Sequence, residues 1–246
     1  MFLRIAFAAL VLMAIWRPPL RIAGAARRDV LLLGFALAAM NLSFYVALDR
    51  IPLGIAVTLE FVGPLGVAIA GSRRRRDLVW VGLAAAGLLL LAPGPGSDLD
   101  AVGCAMALVA GAFWGAYILL TARVGQALRG GQGLAVAMVV AALLTVPVGI
   151  ADGAGDLLGP EVLAVGLAVA IASSALPYSL EMEALRRLPA STFGVLMSLE
   201  PAVAATVGFV GLSQGLEARE LVAIGLVLAA SVGALRAVGT RHAAEA

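Results

Sequence analysis

Residues 47–64 read ALDRIPLGIAVTLEFVGP, and residues 184–201 read ALRRLPASTFGVLMSLEP. Six of the eighteen positions coincide at a constant offset of 137, and each copy carries two prolines twelve residues apart. The first copy keeps a carboxylate, Glu60, four residues before Pro64 in otherwise apolar company; the second keeps Glu200 directly before Pro201. A charge and a helix breaker inside an oily stretch need a reason, and the reason lies in the solvent around the chain.

Of the 246 residues, 62% are hydrophobic and 13% are charged, whereas soluble domains run roughly half apolar and about a quarter charged. This composition places the chain in the membrane class. All 17 basic residues are arginine and the net charge is +2, so what matters is where the arginines sit, and no nucleic-acid partner is implied. Cys104 is the only cysteine, which excludes an internal disulfide and a thiolate cluster; the only histidine, His242, lies in a polar tail. No metal and no organic cofactor is expected from so few ligands.

A helix crosses the hydrocarbon core with about 20 apolar residues, within a range of roughly 17–25. Nine such runs are read, at 2–16, 30–48, 53–71, 78–93, 101–121, 133–151, 162–180, 191–211 and 218–236. They do not alternate as barrel strands would, and lipid leaves backbone groups no partner outside their own segment, so each is a helix. Arg17, Arg21, Arg27 and Arg28 follow the first run, Arg73 to Arg76 the third, Arg123 and Arg129 the fifth, Arg186 and Arg187 the seventh, and Arg236 and Arg241 the ninth. Fourteen of the seventeen arginines thus share one side of an alternating path, which the positive-inside rule makes cytoplasmic, with the C-terminus inside. The first run also fits a signal peptide, with Arg4, a short apolar core and AGA at 23–25. That reading would export the four-arginine loop against the pattern everywhere else, so the run is taken as a span.

The offset of 137 also carries the helices at 133–151, 162–180, 191–211 and 218–236 onto the first four runs. One copy of the repeat crosses an external loop and the other a cytoplasmic one, so the halves are related by an inverted axis in the membrane plane, the architecture of many secondary transporters. The helix at 101–121 has no counterpart. The expected fold is therefore an all-α, polytopic bundle of five plus five helices, with nine seen and the first absent, from a late start site or a truncation. Its halves are read as 1–96 and 97–246.

Proline frees the carbonyl four residues before it. Pro64 frees that of Glu60, and Pro201 that of Met197, the repeat equivalent of Glu60. A charge at the helix centre costs about 2.5–3.5 kcal/mol on insertion scales, and broken helices bearing carboxylates at mid-membrane are how transporters build substrate and ion sites. Glu60 and Glu200 are the leading candidates, suited to proton coupling or to a substrate ammonium group, with the two freed carbonyls as further acceptors. A bland alternative is a protonated glutamate bonded to a neighbouring helix. Other polar residues inside spans rank lower: Asn41 and Tyr45, four apart on the second helix; Trp114 and Tyr117 on the fifth; Tyr178 and Glu181 on the seventh, where Glu181 is also read as simply solvated beside Glu183. Trp16 and Trp80, next to arginine clusters, are read as belt residues, GAFWG at 111–115 as close helix packing, and Arg73 to Arg76 as an orientation signal that also suits anionic lipid. An intramembrane protease is disfavoured, because the GAGD at 153–156 falls in an external loop and no buried histidine base is available.

The stretches PLGIAVTLEFVGPLGVAIAGSRRRRDLVWVGLAAAGLLLL and ALPYSLEMEALRRLPASTFGVLMSLEPAVAA resemble the drug/metabolite transporter superfamily, and within it the EamA-type threonine and homoserine exporters of bacterial inner membranes. The likeness runs from about Leu3 to about Arg236. It implies a ten-helix exporter of small amino acids working by alternating access and proton exchange, not an enzyme, in which Glu60 and Glu200 match the carboxylates of the glutamate–proline segments and PYSLEM at 177–182 matches the eighth helix. Two departures stand out: the family's first helix is absent, and its ninth helix ends in Leu-Gly-Glu where this chain has Leu212, Ser213 and Gln214. The partners expected are a small-molecule substrate, the proton and the bilayer, with a homodimer allowed. Export of other amino acids, metabolites or drugs, and a non-transporting membrane protein, are the alternatives.

Overall fold

The computed structural model of the chain describes residues 1–19, 22, 24–72, 75–91, 100–151, 159–200, 202–203 and 218–245. Among the described residues all regular structure is helical: α1 (Phe2–Trp16), α2 (Gly24–Leu48), α3 (Leu53–Glu60), α4 (Val62–Gly71), α5 (Arg75–Leu91), α6 (Ala101–Ala127), α7 (Gln132–Ala151), α8 (Pro160–Ala170), a π-helical turn (Ile171–Ala175), α9 (Leu176–Arg187), α10 (Ala190–Leu196) and α11 (Ala218–Glu245). Among the described residues, five stretches are long and apolar enough to cross a membrane: Gly24–Leu48, Leu53–Gly71, Ala101–Ala127, Gln132–Ala151 and Pro160–Arg187. Phe2–Trp16, Asp77–Leu90 and Leu221–Ala234 are shorter apolar helices. Of the run expected at 191–211, residues 201 and 204–211 lie outside the described residues. Several helices outrun their apolar stretch on the arginine side: α2 starts at Gly24, α6 ends at Ala127 and α9 at Arg187. Hydropathy marks where the oil ends, and the backbone keeps its own hydrogen bonds beyond that point.

The repeat is reproduced in the backbone. Pro52 caps α3 with φ −56 and ψ 140, and Pro189 caps α10 with φ −59 and ψ 140. Each proline carbonyl accepts from the amides three and four residues on, Ile55 and Ala56 in one copy, Thr192 and Phe193 in the other, all at 3.0 Å. Both helices then break at the same register, at Phe61 between α3 and α4 and at Met197–Ser198 after α10. In the first copy the ladder runs up to Phe61, whose amide donates to Val57 at 3.0 Å, and resumes with Leu65 donating to Phe61 at 3.1 Å. The missing rung is the one Pro64 cannot supply. A third interruption, the π-helical turn, was not expected. Pro177 lies four residues after Ser173 and cannot donate to its carbonyl, so the preceding turn widens and the Leu176 amide reaches back to Ile171.

The chain divides into two compact units, one of Met1–Tyr45 with Ala116–Arg187, the other of Val46–Gly115 with Leu188–Ala246. In the first unit α1 packs on α7 and α8, around buried Ile5, Leu12, Leu134 and Met138. In the second, α5 packs on α11 and α4 on α10, around Ala68, Val81, Ala84, Val195 and Ala230. Each unit draws helices from early and late in the sequence, so the packing cuts the chain differently from the sequence repeat. Trp16 lies over Gly130 and Gly131, and Trp80 over Gly233, so both indoles pack against glycine backbone, which a belt role alone does not describe.

Candidate functional site

In the second unit, Glu60 is the last residue of α3 and its side chain is buried, 8% exposed. Its carbonyl oxygen, released by buried Pro64, points at α6, where a Cβ added to Gly111 would stand 2.5 Å from it. Reciprocally, a Cβ on Gly63 would stand 1.9 Å from the Gly111 carbonyl oxygen. GAFWG therefore leaves out side chains where the interrupted helix comes against the backbone of α6. The freed Glu60 carbonyl is packed against a helix rather than held open as an acceptor for an ammonium group. The Met197 carbonyl, expected to be free as well, accepts the Glu200 amide at 3.0 Å. The chain tightens to an i→i+3 bond where proline denies the i→i+4 one. Pro201 itself lies outside the described residues. The Glu200 side chain is exposed, and it belongs to the same compact unit as Glu60. Beside Glu60, the Phe61 ring meets Trp114 edge to face, with centroids 4.9 Å apart and planes at 69°.

The first unit gathers the remaining candidates into two clusters. The Tyr117 hydroxyl, fully buried, donates to the Glu181 carboxylate at 2.9 Å. The Tyr117 and Tyr178 rings lie 5.5 Å apart. Glu181 is thus drawn inward onto a phenol, while its neighbour Glu183 pairs with Arg186 and Arg187 at the helix end. Trp114 and Tyr117, three residues apart on α6, serve different clusters because the division between the units falls between Gly115 and Ala116. In the other cluster the Asn41 amide donates to the Leu37 carbonyl at 2.8 Å, which turns its own oxygen to the Arg4 guanidinium. Arg4 also donates to Ser174 at 3.1 Å and lies 6.0 Å from the centre of the Tyr45 ring. Asn41 and Ser174 are buried and Tyr45 is exposed.

Arg4, Ser174 and Phe61 are the participants that sequence reasoning missed. Arg4 looks like the charged start of an apolar run, and nothing in its own helix says that it meets residues far along the chain. Ser174 had a signal, since SSALP places polar residues just ahead of a helix-breaking Pro177. Chemically, the second unit offers two carboxyls able to hold a proton or a cation, and the first offers a guanidinium and a phenol–carboxyl pair. Among the described residues no three His, Cys, Asp or Glu side chains converge on a metal position.

Residues 101–236 match the EamA-like transporter family. Over 235 residues the chain is 48% identical to the threonine/homoserine exporter RhtA of Escherichia coli (strain K12), covering 94% of this chain and 79% of that protein. It is 46% identical, over the same length and coverage, to the threonine/homoserine exporter RhtA of Salmonella typhimurium (strain SL1344). A solved structure described only as "Crystal structure of protein" superposes with a TM-score of 0.72 at 17% identity, covering 95% of this chain and 86% of that one, a likeness of fold.

Proposed function

The chain belongs to the EamA-like transporter family, and on that premise we propose that it exports threonine and homoserine across the bacterial inner membrane by proton exchange and alternating access. The substrate reading rests on the exporters named above. One observation carries the reading of the site: a buried carboxyl, Glu60, stands at an interrupted helix, and a second, Glu200, stands at the matching interruption of the repeat in the same unit. Two carboxyls sharing a low-dielectric neighbourhood repel each other when both are charged. A proton or a substrate ammonium relieves that repulsion, and releasing either toward one side of the membrane restores it. Glu60 and Glu200 take that role, with Trp114 beside them in the second unit; Tyr117, Tyr178, Glu181, Asn41 and Tyr45 are further candidates for substrate contact or proton coupling in the first.

Substrate-resolved efflux tests this. Bacteria lacking their own exporters and expressing the chain should survive toxic threonine or homoserine and release the amino acid uphill until a protonophore collapses the gradient. Glu60→Gln and Glu200→Gln should each lower efflux at least tenfold, since each removes a charge that one step needs. Wild-type efflux from the double variant would refute the carboxyl roles, and absence of resistance with the unaltered chain would refute the substrate.

A further inference from the structure

Arg4 has no counter-ion among the described residues: its partners are the Asn41 amide oxygen, the Ser174 hydroxyl and the face of Tyr45, and its Nε is buried without a hydrogen-bond partner. A guanidinium inside an apolar helix bundle is costly unless a negative charge meets it. Neutral partners hold it in place and do not discharge it. Each of them is itself fixed. The Asn41 amide is anchored on the Leu37 carbonyl, and Ser174 sits on the π-helical turn that Pro177 imposes. Such turns recur at functional sites because they re-aim side chains that a regular helix would point elsewhere. Arg4 is half-buried and Tyr45 is 37% exposed, so neither side chain is fully enclosed.

We propose that Arg4, positioned by Asn41 and Ser174, is the recognition site for the carboxylate of the exported amino acid. This rests on the amino-acid reading above and deepens it, because it requires the substrate to carry a free carboxylate. Guanidinium and carboxylate match as planar, charge-assisted partners. The cluster therefore selects amino acids over the corresponding amines and amino alcohols.

The test uses the purified full chain in phosphatidylcholine vesicles, with counterflow of threonine and of threoninol, which replaces the carboxylate by a hydroxymethyl group. The unaltered protein should favour threonine. Arg4→Gln should lower the threonine-to-threoninol ratio by about tenfold to a hundredfold, the worth of a hydrogen bond to a charged group, and Arg4→Lys should restore part of it. Should Arg4→Gln fail to fold, Asn41→Asp serves instead: it pairs Arg4 internally and should lower the same ratio, whereas a merely structural Arg4 would leave it unchanged. A ratio indifferent to the variants overturns the proposal while leaving the exporter reading intact. So does a sensitivity that appears only when phosphatidylglycerol is added, which would assign Arg4 to a lipid phosphate. If the unaltered chain moves neither compound, the exporter reading fails and this proposal with it.

Discussion

The Tyr117 hydroxyl and the Glu181 carboxylate show how a single bond changes the meaning of a residue. From its neighbours in sequence, Glu181 belongs with Glu183 among solvated charges near the arginine side; in the fold it reaches a phenol that water does not touch. Tyr117→Phe should lower stability by about 1–2 kcal/mol, because the ring still fills its place while a half-buried carboxyl loses a donor. Thermal melting of the detergent-solubilised protein measures this, and an unshifted midpoint would show that the bond contributes nothing. Glu60 and Arg4 were unequally legible for a related reason. Glu60 announces itself by standing alone in a long apolar stretch four residues before a proline, a purely local signal. Arg4 stands near the start of its run, and its meaning depends on Ser174, 170 residues away, which no periodicity encodes.

Among the helices, the interruption at Phe61 was legible because proline has one fixed effect on the ladder, and its repeat at Met197–Ser198 followed from the offset. What the freed carbonyls do was not legible, since it depends on which helix lies alongside. The answer at α3–α4 is the glycine face of α6, and a substitution there should be felt at once. Gly111→Ala places a methyl 2.5 Å from the Glu60 oxygen, and overpacking of this kind costs about 1–3 kcal/mol. Gly66→Ala, on α4 of the broken helix and with nothing within 4 Å of the added atom, should be tolerated. Comparing the two by yield and monodispersity in detergent separates backbone contact from helix propensity, and equal behaviour would remove the contact argument. The same face explains why GAFWG, readable as packing from composition, says nothing alone about what it packs against. The arginines carry a second role of this type. Arg186 donates to the carbonyls of Gly125 at 2.7 Å and Leu128 at 2.8 Å, capping the end of α6 whose last carbonyls have no helical partner. A charge counted for orientation also closes a helix.

For the molecule as a whole, the chain is a multi-pass membrane transporter, and we propose from the fourteen arginines counted on one side of the expected path that its C-terminus is cytoplasmic. A green fluorescent protein fused after Ala246 should therefore glow and an alkaline phosphatase fused there should stay inactive; the opposite pair of results would invert the topology. The helical spans and the repeat were legible because the bilayer imposes length and apolarity on every crossing. The division into compact units was not, because α2 and α6 each contribute to both units and no composition shift marks the change. That interleaving bears on biosynthesis. Ribosomes add about 5–20 residues per second, and Glu200 is 140 residues behind Glu60. During synthesis Glu60 therefore waits on the order of ten seconds before its repeat counterpart is made, so the nascent chain carries a lone acid through the insertion machinery well ahead of the second copy.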